Sequence, residues 1–211
     1  MVELKHLERR RGNVPLRVAR GHFATNHSHI NYYIDITYQK TRLSEAKATA
    51  YELVSRFIND TPVDTIVCLD GTAVLGAFVG TELTKSGFRT INQHQTIYVL
   101  EPENSSGGQM IFRDNIQPMI RGKHVLVLMA SVTTGNTARQ AMEAIAYYGG
   151  RVAGFAAIYR AVDEIDGYPV RSVYSIKDLP DYESYDYREC PYCKQGQKLD
   201  ALVNSFGYSA L

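Results

Sequence analysis

The sequence predicts an α/β fold in which a mainly parallel sheet is flanked by helices. The chain has 211 residues, of which 45% are apolar, so it can bury a sizeable core. Short, β-rich apolar runs alternate with longer segments whose apolar residues recur at helical spacing. Strands and helices that alternate in this way favour parallel pairing with right-handed crossovers. Such sheets bind ligands beyond the carboxyl ends of their strands.

The first clear helix is predicted over residues 44–60. Ser44 is its expected N-cap, because a serine oxygen can accept a hydrogen bond from a free amide at the helix start. Thr61 and Pro62 end the helix. Its apolar residues share one face at helical spacing: Ala46, Ala50, Leu53, Val54, Phe57 and Ile58.

The remaining elements follow at regular intervals. We predict strands at 65–69, 96–100, 124–129, 152–159 and 172–176, and helices at 73–86 and 137–148. The apolar run 124–129 is unbroken, which indicates a central strand buried on both faces. Residues 101–108 lack apolar anchors and are predicted to form a flexible, mobile loop. The turns at 70–72, 101–108 and 131–136 all follow strands, so we expect them to line one edge of the sheet.

Composition excludes few partners but sets the cellular context. The net charge of +1 gives no reason to expect a nucleic-acid or membrane partner. Three cysteines make no disulfide framework and suit a reducing cytosol. The charged N-terminus has no apolar signal core, and no run approaches the roughly 18 apolar residues of a membrane span. We therefore expect a soluble, cytoplasmic protein.

The most informative stretch joins the strand at 124–129 to the following helix through Thr133, Thr134, Gly135, Asn136 and Thr137. A glycine lets the backbone approach an anion closely, and the amides at a helix start carry positive partial charge. Three threonine hydroxyls can also donate to phosphate oxygens. The pattern favours a phosphomonoester site; an ordinary strand-to-helix turn with a threonine N-cap is the alternative. Neither a Walker nor a dinucleotide-binding glycine motif is present.

This run resembles the phosphoribosyl pyrophosphate motif of type I phosphoribosyltransferases, and the chain is similar to the orotate members. The resemblance also covers the segment from Phe23 to Asp35 and the tail from Cys190 to Gly196. It implies that the loop at 133–137 holds a 5′-phosphate and that Asp70, Gly71 and Thr72 lie in the pyrophosphate loop. Residues 101–112 match the mobile catalytic loop. The residues that it places on the base side are Phe23, Asn26, His27, Tyr32 and Tyr33.

The same resemblance implies a domain plan and partners. Residues 1–43 would form a small N-terminal hood, 44–180 the α/β core, and 181–211 a tail that completes the same domain. A homodimer is expected, in which a neighbouring subunit completes the site. The expected ligand is a phosphorylated small molecule, either a phosphoribosyl compound or a nucleotide. If transfer occurs, Mg²⁺ is the cofactor that the resemblance implies.

Two departures from the family pattern weaken the catalytic half of this site. The family has two adjacent acids that accept hydrogen bonds from the ribose hydroxyls, whereas this chain has Met129 and Ala130. Neither side chain can accept such a bond. The loop at 101–108 contains two acids and no base, and its negative charge would oppose a pyrophosphate. Arg113 follows the loop and could compensate this charge, but an ordinary surface arginine is the favoured interpretation. The replacement of a family Ser-Gly by Asn26-His27 leaves recognition of orotate open.

Cysteines and histidines suggest a second chemistry. Cys190 and Cys193 supply two of the four ligands of a zinc site, so a further pair or a nearby histidine would be needed. Their Cys-Pro-Tyr-Cys sequence also suggests a redox site, although its place near the C-terminus differs from that of thioredoxin-like motifs. A structural or incidental role is favoured over both. For His22, His27 and His29 we expect a solvated or substrate-contacting loop instead of a metal site.

Two functions from different classes follow. The favoured one is a binding protein on this fold that holds a phosphoribosyl or nucleotide ligand and has weak or lost transferase activity. The alternative is an active, divergent enzyme that transfers ribose 5-phosphate from phosphoribosyl pyrophosphate to a base such as orotate.

Overall fold

The computed structural model describes the chain except for residues 1–4, 12–13, 27, 56–59, 86–90, 93–95 and 106, and describes only the backbone of residues 5–11. Its strands are β1 (Lys5–Arg11), β2 (Val14–Ala24), β3 (His29–Asp35), β4 (Thr65–Cys68), β5 (Tyr98–Leu100), β6 (Glu103–Asn104), β7 (Met110–Ile111), β8 (His124–Val132), β9 (Arg151–Arg160), β10 (Glu164–Ile165), β11 (Tyr168–Ser175), β12 (Ser184–Tyr185), β13 (Ala201–Asn204) and β14 (Gly207–Ala210). Its helices are α1 (Thr37–Thr41), α2 (Leu43–Val54), α3 (Ala73–Leu83), α4 (Asn136–Tyr147) and α5 (Pro191–Lys194), with 3₁₀ turns at Gln117–Met119 and Ile176–Asp178.

The core sheet has the strand order β10-β11-β9-β8-β4-β5. Every pairing from β11 to β5 is parallel, and β10 adds an antiparallel edge. The prediction of a mainly parallel sheet is therefore confirmed. Strand β8 pairs with β9 on one side and β4 on the other, as its unbroken apolar run predicted.

Helices cover both faces of this sheet. Leu126 and Leu128 of β8 belong to one buried cluster, together with residues of α2 and α3 such as Leu53 and Leu75. Val127 belongs to the cluster on the opposite face, which includes the buried residues of α4: Ala138, Ala141 and Ile145. Successive residues of a strand point to opposite faces, so a strand between two helical layers must be apolar throughout.

Close packing of α3 depends on a small residue. A Cβ atom built at Gly76 would lie 2.3 Å from the sulfur of Cys68 in β4. The absence of a side chain at Gly76 therefore lets α3 lie directly on the strand that leads into the 70–72 turn. The helix was predicted over 73–86; it is observed to Leu83, and residues 86–90 lie outside the described part.

A second six-stranded sheet has the strand order β12-β3-β2-β13-β14, with β1 paired to β2. We call it the hood sheet. Its N-terminal strands contribute Leu16 and Phe23 to the same cluster that packs under α2 and α3, and the C-terminal tail contributes Val203. A buried ion pair between Arg17 of β2 and Glu45 of α2, with N–O distances of 2.7 and 2.8 Å, also joins the hood sheet to the core.

Several predicted boundaries are wrong. Ser44 lies within α2, whose N-cap is Arg42, so the serine does not cap the helix. Ala46, Ala50, Leu53 and Val54 are buried as predicted, whereas Phe57 and Ile58 lie among residues that the structure does not describe. Strand β8 continues to Val132, because its pairing with β9 extends to Arg160, and this shortens the expected loop at 131–136. No described helix combines the length and apolar character that a membrane span requires.

Candidate functional site

Three strands of the core sheet end at the same edge. Val67 of β4 pairs with Leu100 of β5, and Cys68 of β4 pairs with Leu128 of β8, in parallel register. The turns that follow these strands therefore emerge on one side of the sheet, as predicted. This edge is the place where a parallel α/β sheet binds ligands.

The loop at 133–137 has the backbone of an anion-binding turn. Gly135 is the N-cap of α4 and adopts the left-handed conformation with φ of 81°. A Cβ atom there would lie 3.2 Å from Ile165, so both conformation and space favour glycine. No side chain caps the helix, and Thr133, Thr134, Asn136 and Thr137 are exposed. Exposed residues therefore surround the N-terminal end of α4, where the amides of a helix start can bind an anion.

Arg139 adds positive charge beside this loop. Its NH1 lies 3.3 Å from the carbonyl oxygen of Thr134 and 3.4 Å from the side-chain oxygen of Asn136. Its Nε donates to the carboxylate of Asp166 over 3.1 Å. Arg139 was not among the predicted site residues, although its position four residues after Gly135, one helical turn into α4, was an available signal.

Met129 and Ala130 are each only 2% exposed near the end of β8. Met129 packs in the cluster beneath α4, so an apolar side chain occupies a position where the family pattern has an acid. The carboxyl of Asp70 accepts a hydrogen bond from the backbone N–H of Ala130, while burial raises the pKa of that carboxyl. A carboxyl group from the turn after β4 therefore lies beside the Ala130 backbone.

Hydrogen bonds that the sequence did not predict stabilise the 70–72 turn. Asp70 and Gly71 have φ of 58° and 71°, two consecutive left-handed residues. The hydroxyl of buried Thr72 donates to the carbonyl of Leu69 over 2.8 Å, so this threonine holds the turn itself. Lys40 of α1 donates to the carbonyl of Asp70 over 2.8 Å, and burial lowers the pKa of its ammonium group. No sequence pattern singled out Lys40.

The segment expected to be a flexible loop contains a short hairpin. Strands β6 and β7 pair antiparallel, and Arg113 binds the carboxylate of Glu103 through two N–O contacts of 2.7 and 2.6 Å. The expectation of a loop without regular structure was therefore wrong in part, because β6 and β7 pair and the Arg113–Glu103 ion pair links the two sides of the hairpin. Mobility of this hairpin stays a prediction. Arg113 is exposed, but its charge is engaged by Glu103.

Residues expected on the base side lie at different depths. Phe23 and Tyr33 are buried in the hood sheet, and Tyr32 is half-buried beside the guanidinium of Arg20. Asn26 lines a groove of about 400 Å³ between the end of β2 and the β13–β14 hairpin. None of its lining residues comes from the 133–137 loop. His27 lies outside the described residues.

The tail brings the two cysteines to the hood histidines. The described groups His22, His29, Cys190 and Cys193 offer ligand atoms that all lie within 4.8 Å of one another. The expectation of a solvated loop is wrong for His22 and His29. Both lie on paired strands, and His22 is fully buried.

Curated relatives similar to this chain are named orotate phosphoribosyltransferase. The orotate phosphoribosyltransferase of Pelotomaculum thermopropionicum is 32% identical over 181 residues, which cover 83% of this chain and 85% of the relative. That of Chlorobaculum parvum is 30% identical over 185 residues, which cover 86% of each protein. The chain matches no family model.

Solved structures share the fold at low identity. Mycobacterium tuberculosis orotate phosphoribosyltransferase in complex with Fe(III) dicitrate aligns with a TM-score of 0.53 at 20% identity, covering 78% of this chain and 92% of that one. The Aeropyrum pernix orotate phosphoribosyltransferase gives 0.52 at 15% identity, covering 86% and 93%. Leishmania donovani UMP synthase gives 0.55 at 16% identity over 85% of this chain, which spans 36% of that longer chain. The fold is that of type I phosphoribosyltransferases.

Proposed function

Because the chain belongs to the orotate phosphoribosyltransferase family, we propose that it binds a phosphoribosyl or nucleotide ligand through Thr133–Thr137 and has weak or lost transferase activity. The observation that carries this proposal is the contrast within one strand-to-helix connection. The loop at 133–137 offers accessible amides and hydroxyls to a phosphate. Separated from the loop by two residues, Met129 and Ala130 of β8 are buried, and their side chains carry no oxygen.

The two carboxylates that this chain lacks would bind the hydroxyls of the ribose and would not contact the phosphate. A hydrogen bond to a charged group contributes roughly 1.5–3 kcal/mol. Two such bonds correspond to roughly 3–6 kcal/mol, or on the order of 10²–10⁴ in affinity. Two carboxylates would also stabilise the positive charge that develops on the sugar during transfer. Phosphate binding needs neither carboxylate, so the chain can keep phosphate binding while transfer is weak or lost.

The pyrophosphate side has lost positive charge as well. The described loop residues at 101–105 and 107–112 include no base, and Arg113 is engaged by Glu103. Lys40 lies at the 70–72 turn, but its ammonium group is directed to backbone carbonyl oxygens. A leaving pyrophosphate would therefore find little charge compensation on this face of the site.

Magnesium does not fit the end of β8. Mg²⁺ takes oxygen ligands in near-octahedral geometry, and the side chains of Met129 and Ala130 supply none. A magnesium ion at this edge would depend on the phosphates of its ligand and on the carboxyl of Asp70, which lies beside Ala130.

A binding and turnover experiment tests the proposal. Isothermal titration with phosphate, phosphoribosyl pyrophosphate and orotidine 5′-phosphate should show saturable binding of phosphate-bearing ligands. Conversion of orotate and phosphoribosyl pyrophosphate with Mg²⁺ should be near background. Turnover in the common enzyme range of about 1–10³ s⁻¹ would overturn the loss of activity.

The loop itself needs a matched pair of glycine variants. Gly135→Leu should abolish phosphate binding, because the side chain blocks the backbone and strains a left-handed residue. Gly122→Leu is the control: Gly122 also has positive φ, of 71°, but a Cβ atom there meets nothing within 4 Å. If both variants bind phosphate like the parent protein, the site lies elsewhere.

An active transferase is the second candidate, and one contact favours it. The carboxyl of Asp70 lies at the backbone of Ala130 and is therefore a substitute acid near the ribose position. In that case Asp70→Asn would remove measurable turnover while leaving phosphate binding unchanged. Orotate is the first base to test, since the relatives are named for it.

A further inference from the structure

We propose that His22, His29, Cys190 and Cys193 form a four-coordinate structural zinc site that fastens the C-terminal tail to the hood sheet. The site is separate from the edge of the core sheet where the phosphate loop lies. Its four ligands come from three segments: β2 carries His22, β3 carries His29, and the two cysteines flank the start of α5.

Four of the six distances among the ligand atoms are close to those of a tetrahedron around one ion, and the other two are at most 4.8 Å. Nε2 of His22 lies 3.4 Å from Sγ of Cys190 and 3.6 Å from Sγ of Cys193. Nδ1 of His29 lies 3.3 Å from Sγ of Cys193 and 3.1 Å from Nε2 of His22. Zinc bonds of about 2.3 Å to sulfur and about 2.05 Å to nitrogen, at tetrahedral angles, place S–N pairs about 3.6 Å apart and N–N pairs about 3.3 Å apart.

The hydrogen bonds of His22 prepare its other nitrogen for a metal. Its Nδ1 lies 3.1 Å from the carbonyl oxygen of Gln197 and 3.3 Å from that of Lys198. A carbonyl oxygen only accepts, so Nδ1 carries the proton and Nε2 directs its lone pair toward the sulfurs. Metal-binding histidines commonly have such a carbonyl partner on the second nitrogen, which fixes the tautomer and the ring orientation.

Burial and neighbouring rings exclude water from one side of the cluster. His22 and Cys190 are both 0% exposed. The ring of Tyr192, which lies between the two cysteines in sequence, is 5.3 Å from that of His22. Two cysteines and two histidines complete four-coordination without an open position, which is the pattern of structural and not catalytic zinc.

The redox alternative fits this geometry less well. In a Cys-x-x-Cys redox site the reactive thiolate must be accessible. Here the first cysteine, Cys190, is fully buried against His22, and α5 is only four residues long. The position of two imidazoles within contact of the sulfurs is explained by a metal and not by thiol exchange.

The metal would add a fixed point to the contacts that already hold the tail on the hood sheet. Asp200 bonds to the backbone of His22, with its carboxylate 2.7 Å from the His22 nitrogen. Beyond it, β13 pairs with β2 at Ala201 and Leu202. A zinc ion bound by β2, β3 and α5 would anchor the tail shortly before β13, the strand that pairs with β2.

Metal analysis of the purified full chain tests the site directly. We expect about one zinc ion per chain by inductively coupled plasma mass spectrometry. Exchange with Co²⁺ should give the intense visible bands of a tetrahedral site and thiolate-to-cobalt charge transfer. If protein prepared in the presence of zinc holds no metal, or if the cobalt spectrum is that of an octahedral site, the proposal is overturned.

Variants connect the metal to these four residues. Cys193→Ser and His29→Gln should each lower bound zinc well below one ion per chain. Cys68→Ala and His124→Gln are the matched controls, since both residues lie in the core sheet away from the cluster, and these variants should keep the full ion. Full zinc in Cys193→Ser or His29→Gln would place the metal elsewhere.

Two measurements on the parent protein remain decisive if a variant fails to fold. Chelation of zinc should lower the melting temperature, and readdition should restore it, because a ligand of the native state stabilises that state. Hydrogen exchange should quicken in residues 184–211 on chelation, with the α4 region unchanged. An unchanged melting temperature and exchange pattern on complete zinc removal would contradict the structural role. Phosphate binding is measured separately, so failure of either proposal leaves the other standing.

Discussion

The ammonium group of Lys40 donates a hydrogen bond to the backbone carbonyl of Asp70 over 2.8 Å. The same Nζ lies 2.5 Å from the carbonyl oxygen of Ser205, in the turn between β13 and β14. One buried side chain therefore connects α1, the 70–72 turn and the C-terminal tail. The tail thereby contributes to the geometry of the candidate site, although its own residues lie far from the phosphate loop in sequence.

Lys40→Met should destabilise the protein by about 1–3 kcal/mol, because two backbone carbonyls lose their charged donor. Chemical unfolding at neutral pH measures this difference. Lys47→Met is the control, since Lys47 is exposed on α2. Equal effects of the two variants would show that the Lys40 contacts contribute nothing specific.

Replacing Met129 and Ala130 by aspartate should tighten binding of phosphoribosyl pyrophosphate relative to inorganic phosphate, by up to about 10²–10⁴. The double variant should also be less stable. Both positions are 2% exposed, and a carboxylate buried there loses its hydration, which costs free energy of folding. Titration calorimetry with both ligands gives the ratio of the affinity for phosphoribosyl pyrophosphate to the affinity for inorganic phosphate. The double asparagine variant is the matched neutral control. A ratio that is the same in parent and aspartate variants would exclude these positions from ribose contact.

Arg139→Gln should weaken phosphate binding about tenfold or more, since a charge-assisted hydrogen bond contributes roughly 1.5–3 kcal/mol. The reason is its position beside Thr134 and Asn136. Affinity for phosphate is compared with that of Arg121→Gln, which changes an exposed arginine outside the loop. No difference between the two variants would mean that Arg139 serves only its contact with Asp166.

Stability should fall at alkaline pH in a way that depends on Tyr182. Burial raises the pKa of Tyr182 from 10.0 to about 12. Below pH 10 its hydroxyl is neutral in both states; above it, the unfolded chain ionises first, so the free energy of unfolding declines as pH rises through 12. At pH 11 the parent should have lost about 1.4 kcal/mol more than Tyr182→Phe, relative to pH 9. Tyr147→Phe, at a residue that is 84% exposed, should behave like the parent.

We expect a homodimer in solution, as the family resemblance implies. Several large apolar side chains, including Leu43 and Phe206, are exposed in the single chain at 69% and 86%. Sedimentation velocity at micromolar concentration should give about twice the chain mass of 23.7 kDa. A single monomeric species across that range would sink this prediction.

Local patterns predicted much of the candidate site. The unbroken apolar run of β8 indicated a central strand, since only a strand covered on both faces is apolar at successive residues. Gly135 indicated the left-handed turn before α4, because few other residues adopt it without strain. The lack of acids at Met129 and Ala130 needed no coordinates either. Helix ends were less reliable, as Ser44 shows, because hydrogen bonds of the backbone decide them.

Contacts between distant segments came only from the tertiary structure. His22 and Cys190 are separated by 168 positions, and nothing near either residue in the sequence indicates the other. Their meeting depends on the pairing of β13 with β2 and of β12 with β3. The position of Lys40 beneath the 70–72 turn has the same origin.

By itself, the sequence determined the order of the core strands and helices, the glycine turn before α4 and the absence of acids at Met129 and Ala130, because backbone conformation and apolar periodicity act over a few neighbouring residues. The tertiary structure decided which side chains the tail meets, where Asp70 and Lys40 lie, and that two histidines and two cysteines converge. Those contacts arise from sheet register and from the packing of one buried core, which depend on the whole chain at once.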